Sequence, residues 1–169
     1  MLDKTMLVMR VYNIASQYNI NQATVHKIIN SYINYCKDLL RNGIKVNIFG
    51  LCSLVPDYES CSLNNTLAYD CKILADSIGL PSNTVFVIIN EYLTSIEEEV
   101  LDGKTATIRG LVTFKPIEKE NSGVVHSSIS LSFRNSLLSD DLKVKSVRVH
   151  TSKLLKYKIS RCSYDRQNA

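Results

Sequence analysis

The sequence predicts an α+β fold in which a helix–helix–β-hairpin unit is used twice, packs as a pseudo-dimer and is followed by extra C-terminal β-strands. Three observations predict it. Ala15 to Pro56 recurs sixty residues later as Ala75 to Pro116 without insertion or deletion, with identities at Thr24/Thr84, Val25/Val85, Ile28/Ile88, Ile29/Ile89, Asn30/Asn90, Tyr32/Tyr92, Ile48/Ile108, Leu51/Leu111 and Pro56/Pro116. Within each copy a helical apolar stripe runs up to a glycine, and an alternating run follows it. The paired glycines Gly43/Gly103 and Gly50/Gly110 keep the same spacing. Two copies are too few for a solenoid, which needs about three repeats to bury a continuous core. A unit of roughly 60 residues buries only about 60% of its unfolded surface, so each copy needs the other or a neighbour.

In chain order, residues 5–18 carry Met6, Leu7, Met9, Val11, Ile14, Ala15 and Tyr18, a run that suits a helix or, over 5–12, a strand leading into one. Its counterpart, Thr66 to Ile78, places Leu67, Cys71, Leu74, Ala75 and Ile78 on one helical stripe. Asn21 and Ser82 suit the capping position of the next helix, because a short side-chain oxygen accepts an amide of the first turn. That helix is strongly periodic in both copies, through Val25, Ile28, Ile29, Tyr32, Ile33, Cys36, Leu39 and Leu40, and through Val85, Ile88, Ile89, Tyr92, Leu93, Ile96 and Val100. Ile28, Ile29, Tyr32, Ile88, Ile89 and Tyr92 are the expected repeat core.

Asn42-Gly43 and Asp102-Gly103 end these helices, and Gly50 and Gly110 turn the short hairpins that follow. Beyond Pro116 the second copy continues through a polar stretch, 117–128, with a turn at Asn121-Ser122-Gly123. A strand over Ile129–Phe133 and a short helix over Arg134–Leu142 come next. Two alternating runs, Lys143–His150 and Leu154–Ile159, read as closing strands, and Ser163–Ala169 as a polar end.

The net charge of +4 is unevenly spread, being +2 over residues 1–60, −3 over 61–116 and +5 over 117–169. The tail cations Lys143, Lys145, Arg148, Lys153, Lys156, Lys158 and Arg161 are therefore the candidate interaction surface, for phosphate or for an acidic protein face such as Glu97-Glu98-Glu99. No aromatic clearly alternates with them as a stacking platform requires. The five cysteines, Cys36, Cys52, Cys61, Cys71 and Cys162, include no CxxC pair, which argues against a disulfide framework and a zinc knuckle. His26, His126 and His150 stand far apart, and the four turn glycines are too dispersed to cradle phosphate. The expectation is a non-enzymatic protein with no catalytic residue, metal or cofactor. The run Met6–Val11 is broken by Arg10, and no apolar stretch approaches a membrane span, so no membrane partner is expected.

The second copy's "DGKTATIRGLVTF" and "SISLSFRNSLLSDDLK", with "NGIKVNIFGLCSL" in the first copy, resemble the strands and closing helix of the HU/IHF family of bacterial nucleoid proteins. The resemblance covers roughly residues 5–56 and 65–142, with Phe133 at the family's aromatic position. It implies three regions: an armless first repeat over 1–60, a second repeat with a short arm over 61–142, and a basic strand extension over 143–169. Family arms insert a proline between base steps of the minor groove. Here the arm segment "PIEKENSGVVHS" is acidic, and Pro116 sits at its root, so the scaffold carries over and the DNA-reading tip does not.

The chain is also similar to the IHF-like virion proteins of crAss-like phages. That likeness implies a structural subunit of a neck or tail ring, assembled in the host cytoplasm and residing in the phage particle. Its partners would be copies of itself and other ring, portal or tail proteins. The alternative is an HU-like architectural protein that binds double-stranded DNA through the basic tail.

Overall fold

The computed structural model describes residues 2–61 and 66–169, of which 2–6 by their backbone alone. Among these residues it is an α+β protein with six helices and two three-stranded antiparallel sheets. Helix α1 spans Leu2–Tyr18, so residues 5–12 are helical; Met6 lies outside the described side chains. Helix α2, Gln22–Arg41, is capped by Asn21, whose Oδ1 accepts from the Ala23 amide at 2.7 Å. Strands β1, Val46–Ile48, and β2, Cys52–Pro56, form the first hairpin.

The second unit repeats this order with α3, Leu67–Ile78, α4, Ser82–Leu101, β3, Ala106–Ile108, and β4, Val112–Lys119. Thr66 caps α3 by accepting from the Tyr69 amide at 3.2 Å. Ser82 does not cap α4. The capping position belongs to Pro81, whose ring holds φ at −62° and which makes no side-chain capping bond, and Ser82 is the first helical residue.

The hairpins have identical registers sixty residues apart: Val46 faces Leu54 and Ile48 faces Cys52, as Ala106 faces Phe114 and Ile108 faces Val112. All four turn glycines have φ between 72° and 85°. At Gly43 the demand is double, because a Cβ would also lie 2.8 Å from the Ser60 amide nitrogen and the Tyr58 carbonyl oxygen. Ile28, Ile29, Tyr32, Ile88, Ile89 and Tyr92 are fully buried in one core. The helices cross between units, α1 packing on α4, α3 on α2, and α2 on α4. Each unit thereby covers an apolar face that the other leaves open.

The end of the chain departs from the sequence reading. Strand β5 is Ser122–Ile129 and pairs with β4 along its whole length, from Val112–Ile129 to Lys119–Ser122, so the stretch read as polar is a β-hairpin arm turning at Glu120-Asn121. Helix α5 is Leu131–Ser136, beginning where a strand was expected and ending before Leu142. Ser130 decides this boundary: its Oγ accepts from the Phe133 amide at 3.3 Å, which starts a helix and ends the strand.

Strand β6 is shorter than predicted, Val147–Thr151, and pairs with β2 from Cys52–Thr151 to Pro56–Val147. The run Leu154–Ile159 is not a strand. It lies in helix α6, Lys153–Gln167, which also absorbs most of the expected polar end. Ser152 caps it by accepting from the Leu155 amide at 3.0 Å, and Leu155, Ile159 and Ser163 are buried at four-residue spacing. The alternation of Lys156 and Lys158 with apolar residues fits a strand equally well, and packing selects the helix.

The extra C-terminal strands are thus one strand and one helix, and they stand to the first hairpin as β5 and α5 stand to the second. Pro56 faces Val147 as Pro116 faces Val125. The Ser152 amide donates to the Leu51 carbonyl at 2.9 Å, and the Ser130 amide donates to the Leu111 carbonyl at 2.9 Å. Leu155 and Ile159 of α6 are buried, as are Phe133 and Leu137 at the same offsets from the α5 cap. The second unit is inserted between β2 and β6 of the first.

Candidate interaction surface

The seven tail cations do not form one strip. Lys158 turns inward to the Glu97 carboxylate, Nζ to Oε1 2.9 Å, and Lys145 Nζ donates to the Ser139 carbonyl at 2.7 Å while its amide donates to Asp57 Oδ1 at 2.9 Å. Lys143 lies 5.3 Å from the centre of the Tyr58 ring. Arg148 projects from β6, and Lys153, Lys156 and Arg161 project from α6, all four exposed. Arg161 has Asp165 at 3.8 Å, with both side chains in solvent, where an ion pair contributes little. The acidic run is also divided: Glu99 pairs with the buried Arg10, Glu97 with Lys158, and Glu98 is exposed.

The strand reading concealed a second feature. On the helix, Tyr157, Arg161 and Tyr164 fall at i, i+4 and i+7, and with Ser160 and Asn121 from the arm turn they line a shallow groove of about 260 Å³. Leu154 continues this exposed face toward the helix start. Periodicity of 3.6 across residues 153–164 was the available signal.

The arm is held at its tip. Gln167 Nε2 donates to the Lys119 carbonyl at 2.8 Å, its Oε1 accepts from the Asn121 amide at 2.8 Å, and Ser163 Oγ donates to the Ser122 carbonyl at 2.8 Å. Arg166 Nε adds an ion pair to Glu118 at 2.7 Å. Gly123 permits this approach, since a Cβ there would lie 2.8 Å from Ser163 Cβ. Pro116 faces Val125 within the hairpin, at the arm's root.

His26, His126 and His150 are exposed on α2, β5 and β6. Among the described residues no three His, Cys, Asp or Glu side chains are placed to hold a metal ion, and no helix is long and apolar enough to cross a membrane. Cys36, Cys52 and Cys71 are buried, and Cys61 is exposed. Fold and surface together define an α+β body of two like units, closed on itself by its last strand and helix. No family model matches the chain, and no curated protein does.

Proposed function

We propose that this chain is a non-enzymatic structural subunit on an HU/IHF-like scaffold, a phage virion component of a neck or tail ring. The observation that carries this reading is the attachment of the arm tip to α6 through Gln167, Ser163 and Arg166. An arm that tracks a groove of DNA has to stand clear of its body, whereas this one is tied to α6 at its tip. What remains outward is body surface bearing large apolar side chains: Val8, Met9 and Tyr12 on α1, and Leu154 and Tyr157 on α6, each more than half exposed. Grouped exposure of this kind marks protein contacts. Sedimentation velocity on the full chain tests the reading. It expects assemblies larger than one chain; a monomer up to the solubility limit contradicts it.

A second reading, duplex binding, is favoured by one observation: Arg148, Lys153 and Lys156 are exposed and have no ion-pair partner among the described residues. It expects log affinity to fall with log salt by about 0.9 per phosphate neutralised. Charge reversal at Lys153 and Lys156 would then flatten that slope, and an unchanged slope removes the reading.

A further inference from the structure

Lys37 and Glu97 occupy equivalent positions of α2 and α4, and each lies against the glycine turn of the other unit. A Cβ on Gly110 would meet Lys37 Nζ at 2.9 Å, and one on Gly50 would meet Glu97 Oε2 at 3.4 Å. The two charges are opposite and are compensated differently. Glu97 receives Lys158 from α6. Counting from the caps Ser152 and Ser130, the α5 residue matching Lys158 is Ser136, which is uncharged and donates its hydroxyl to the Phe133 carbonyl at 2.6 Å.

Lys37 therefore has no counterion from α5, and two more cations gather beside it. Arg109 stands next to Gly110 in the turn, and Arg41 lies one helical turn further along α2, 5.4 Å from the centre of the Phe133 ring. Burial first, then Arg41 and Arg109, push the Lys37 ammonium below its ordinary range, as crowded like charges do. Among the described residues the cluster's ion pairs amount to Arg41 with Asp38, at 3.1 Å, and Asp38 is largely in solvent.

Helix α4 shows the converse. It carries Glu91, Glu97, Glu98 and Glu99 and no Lys, Arg or His. Tyr18, Lys158 and Arg10 engage Glu91, Glu97 and Glu99, while Glu98 and the following Asp102 are exposed without an ion-pair partner among the described residues.

We propose that Lys37, Arg41 and Arg109 receive the carboxylates of Glu98 and Asp102 from a second copy of this chain, so that copies join head to tail. The inference rests on the self-assembly proposed above and names the surfaces that carry it. Such a contact is heterologous, and it generates a ring if the rotation between copies closes and a filament if it does not. Its charge complementarity makes association sensitive to salt.

Sedimentation velocity on the full chain and two variants, Lys37→Glu/Arg109→Glu and Glu98→Lys/Asp102→Lys, tests this. The wild-type chain is expected to associate, and each variant alone to associate roughly tenfold or more weakly. An equimolar mixture of the two should regain association, because the acidic face of one variant meets the basic face of the other at the native contact and the two reversed faces meet as Glu against Lys. Variants that assemble as the wild type does would remove this contact and leave self-assembly standing, whereas a wild-type chain monomeric at every concentration would remove both. A mixture that stays monomeric while the wild type associates also overturns the contact. So does loss of duplex binding in Lys37→Glu/Arg109→Glu with self-association unchanged, since the cluster would then serve phosphate. Circular dichroism melts check folding, and Lys37→Gln/Arg109→Gln serves if the reversals unfold.

Discussion

Arg10 on α1 is buried and holds the Glu99 carboxylate of α4, while Asp70, at the equivalent position of α3, is buried and accepts from the Tyr35 hydroxyl of α2 at 2.8 Å. Two like units are therefore joined by unlike polar contacts. Two copies of the first unit would set Arg10 against Leu39, leaving a buried guanidinium without its Glu99 partner, and two copies of the second would set Asp70 against Ser95 in place of Tyr35. This asymmetry selects the pairing of first unit with second.

Removing one partner of that pair should be costly. Glu99→Ala strands a buried guanidinium and is expected to lower stability by about 3–5 kcal/mol, and Arg10→Leu/Glu99→Leu to recover most of the loss. Urea denaturation of the two variants measures both, and a loss under about 1 kcal/mol for Glu99→Ala would show the pair to be energetically idle.

The approach of α6 to the arm depends on a missing methyl group. Gly123→Ala places a Cβ 2.8 Å from Ser163 Cβ and should destabilise by about 1–3 kcal/mol. Because the conflict is with Cβ, Ser163→Gly in the same chain should relieve it and Ser163→Ala should not; thermal melting of the three combinations decides.

Deleting 163–169 leaves Leu155 and Ile159 seated but removes Ser163, Arg166 and Gln167 from the arm. Amide hydrogen exchange across 119–125 should accelerate roughly tenfold for each 1.4 kcal/mol of stabilisation that the tail supplied, with the α2 and α4 amides unchanged. An unaltered arm would mean that its own strand pairing holds it closed.

Burial pushes the thiols up, Cys52 to about 12 and Cys71 to about 11, with Cys36 also raised. An unfolded thiol titrates near 8.5, so this contribution to stability is fully present below about pH 8.5 and is lost as pH rises toward 11–12, where only the unfolded chain has gained thiolates at first. The urea midpoint should therefore fall between about pH 8 and pH 10, and fall less in Cys52→Ala. Alkylation of the native chain followed by mass spectrometry should label the exposed Cys61 first and leave Cys36, Cys52 and Cys71 unmodified until denaturation.

The helices and hairpins of both units were legible because each has a single dominant period and a glycine stop, as Tyr32 and Gly43 or Tyr92 and Gly103 illustrate. The closing elements were not. Leu155 and Ile159 fit a strand and a helix equally well on pattern, and only the Ser152 cap and the packing of α6 on β5 and α4 decide between them. The match of β6 and α6 to β5 and α5 carries almost no sequence identity beyond Val125/Val147 and the paired cap serines Ser130 and Ser152, so the insertion of one unit within the other stayed hidden. The tail cations were found as residues but not as a surface, because Lys158 is engaged by Glu97 from a distant part of the sequence and Lys145 by the nearby Ser139 carbonyl.

Everything proposed for the body depends on the last strand of the chain completing the first hairpin within the same molecule. Nuclear Overhauser contacts between β2 and β6, recorded on a mixture of labelled and unlabelled chains, test this most directly. Intramolecular contacts between Leu54 and Val149 and between Ser53 and His150 are expected. Their absence, or their appearance only between different chains, would contradict the closed body.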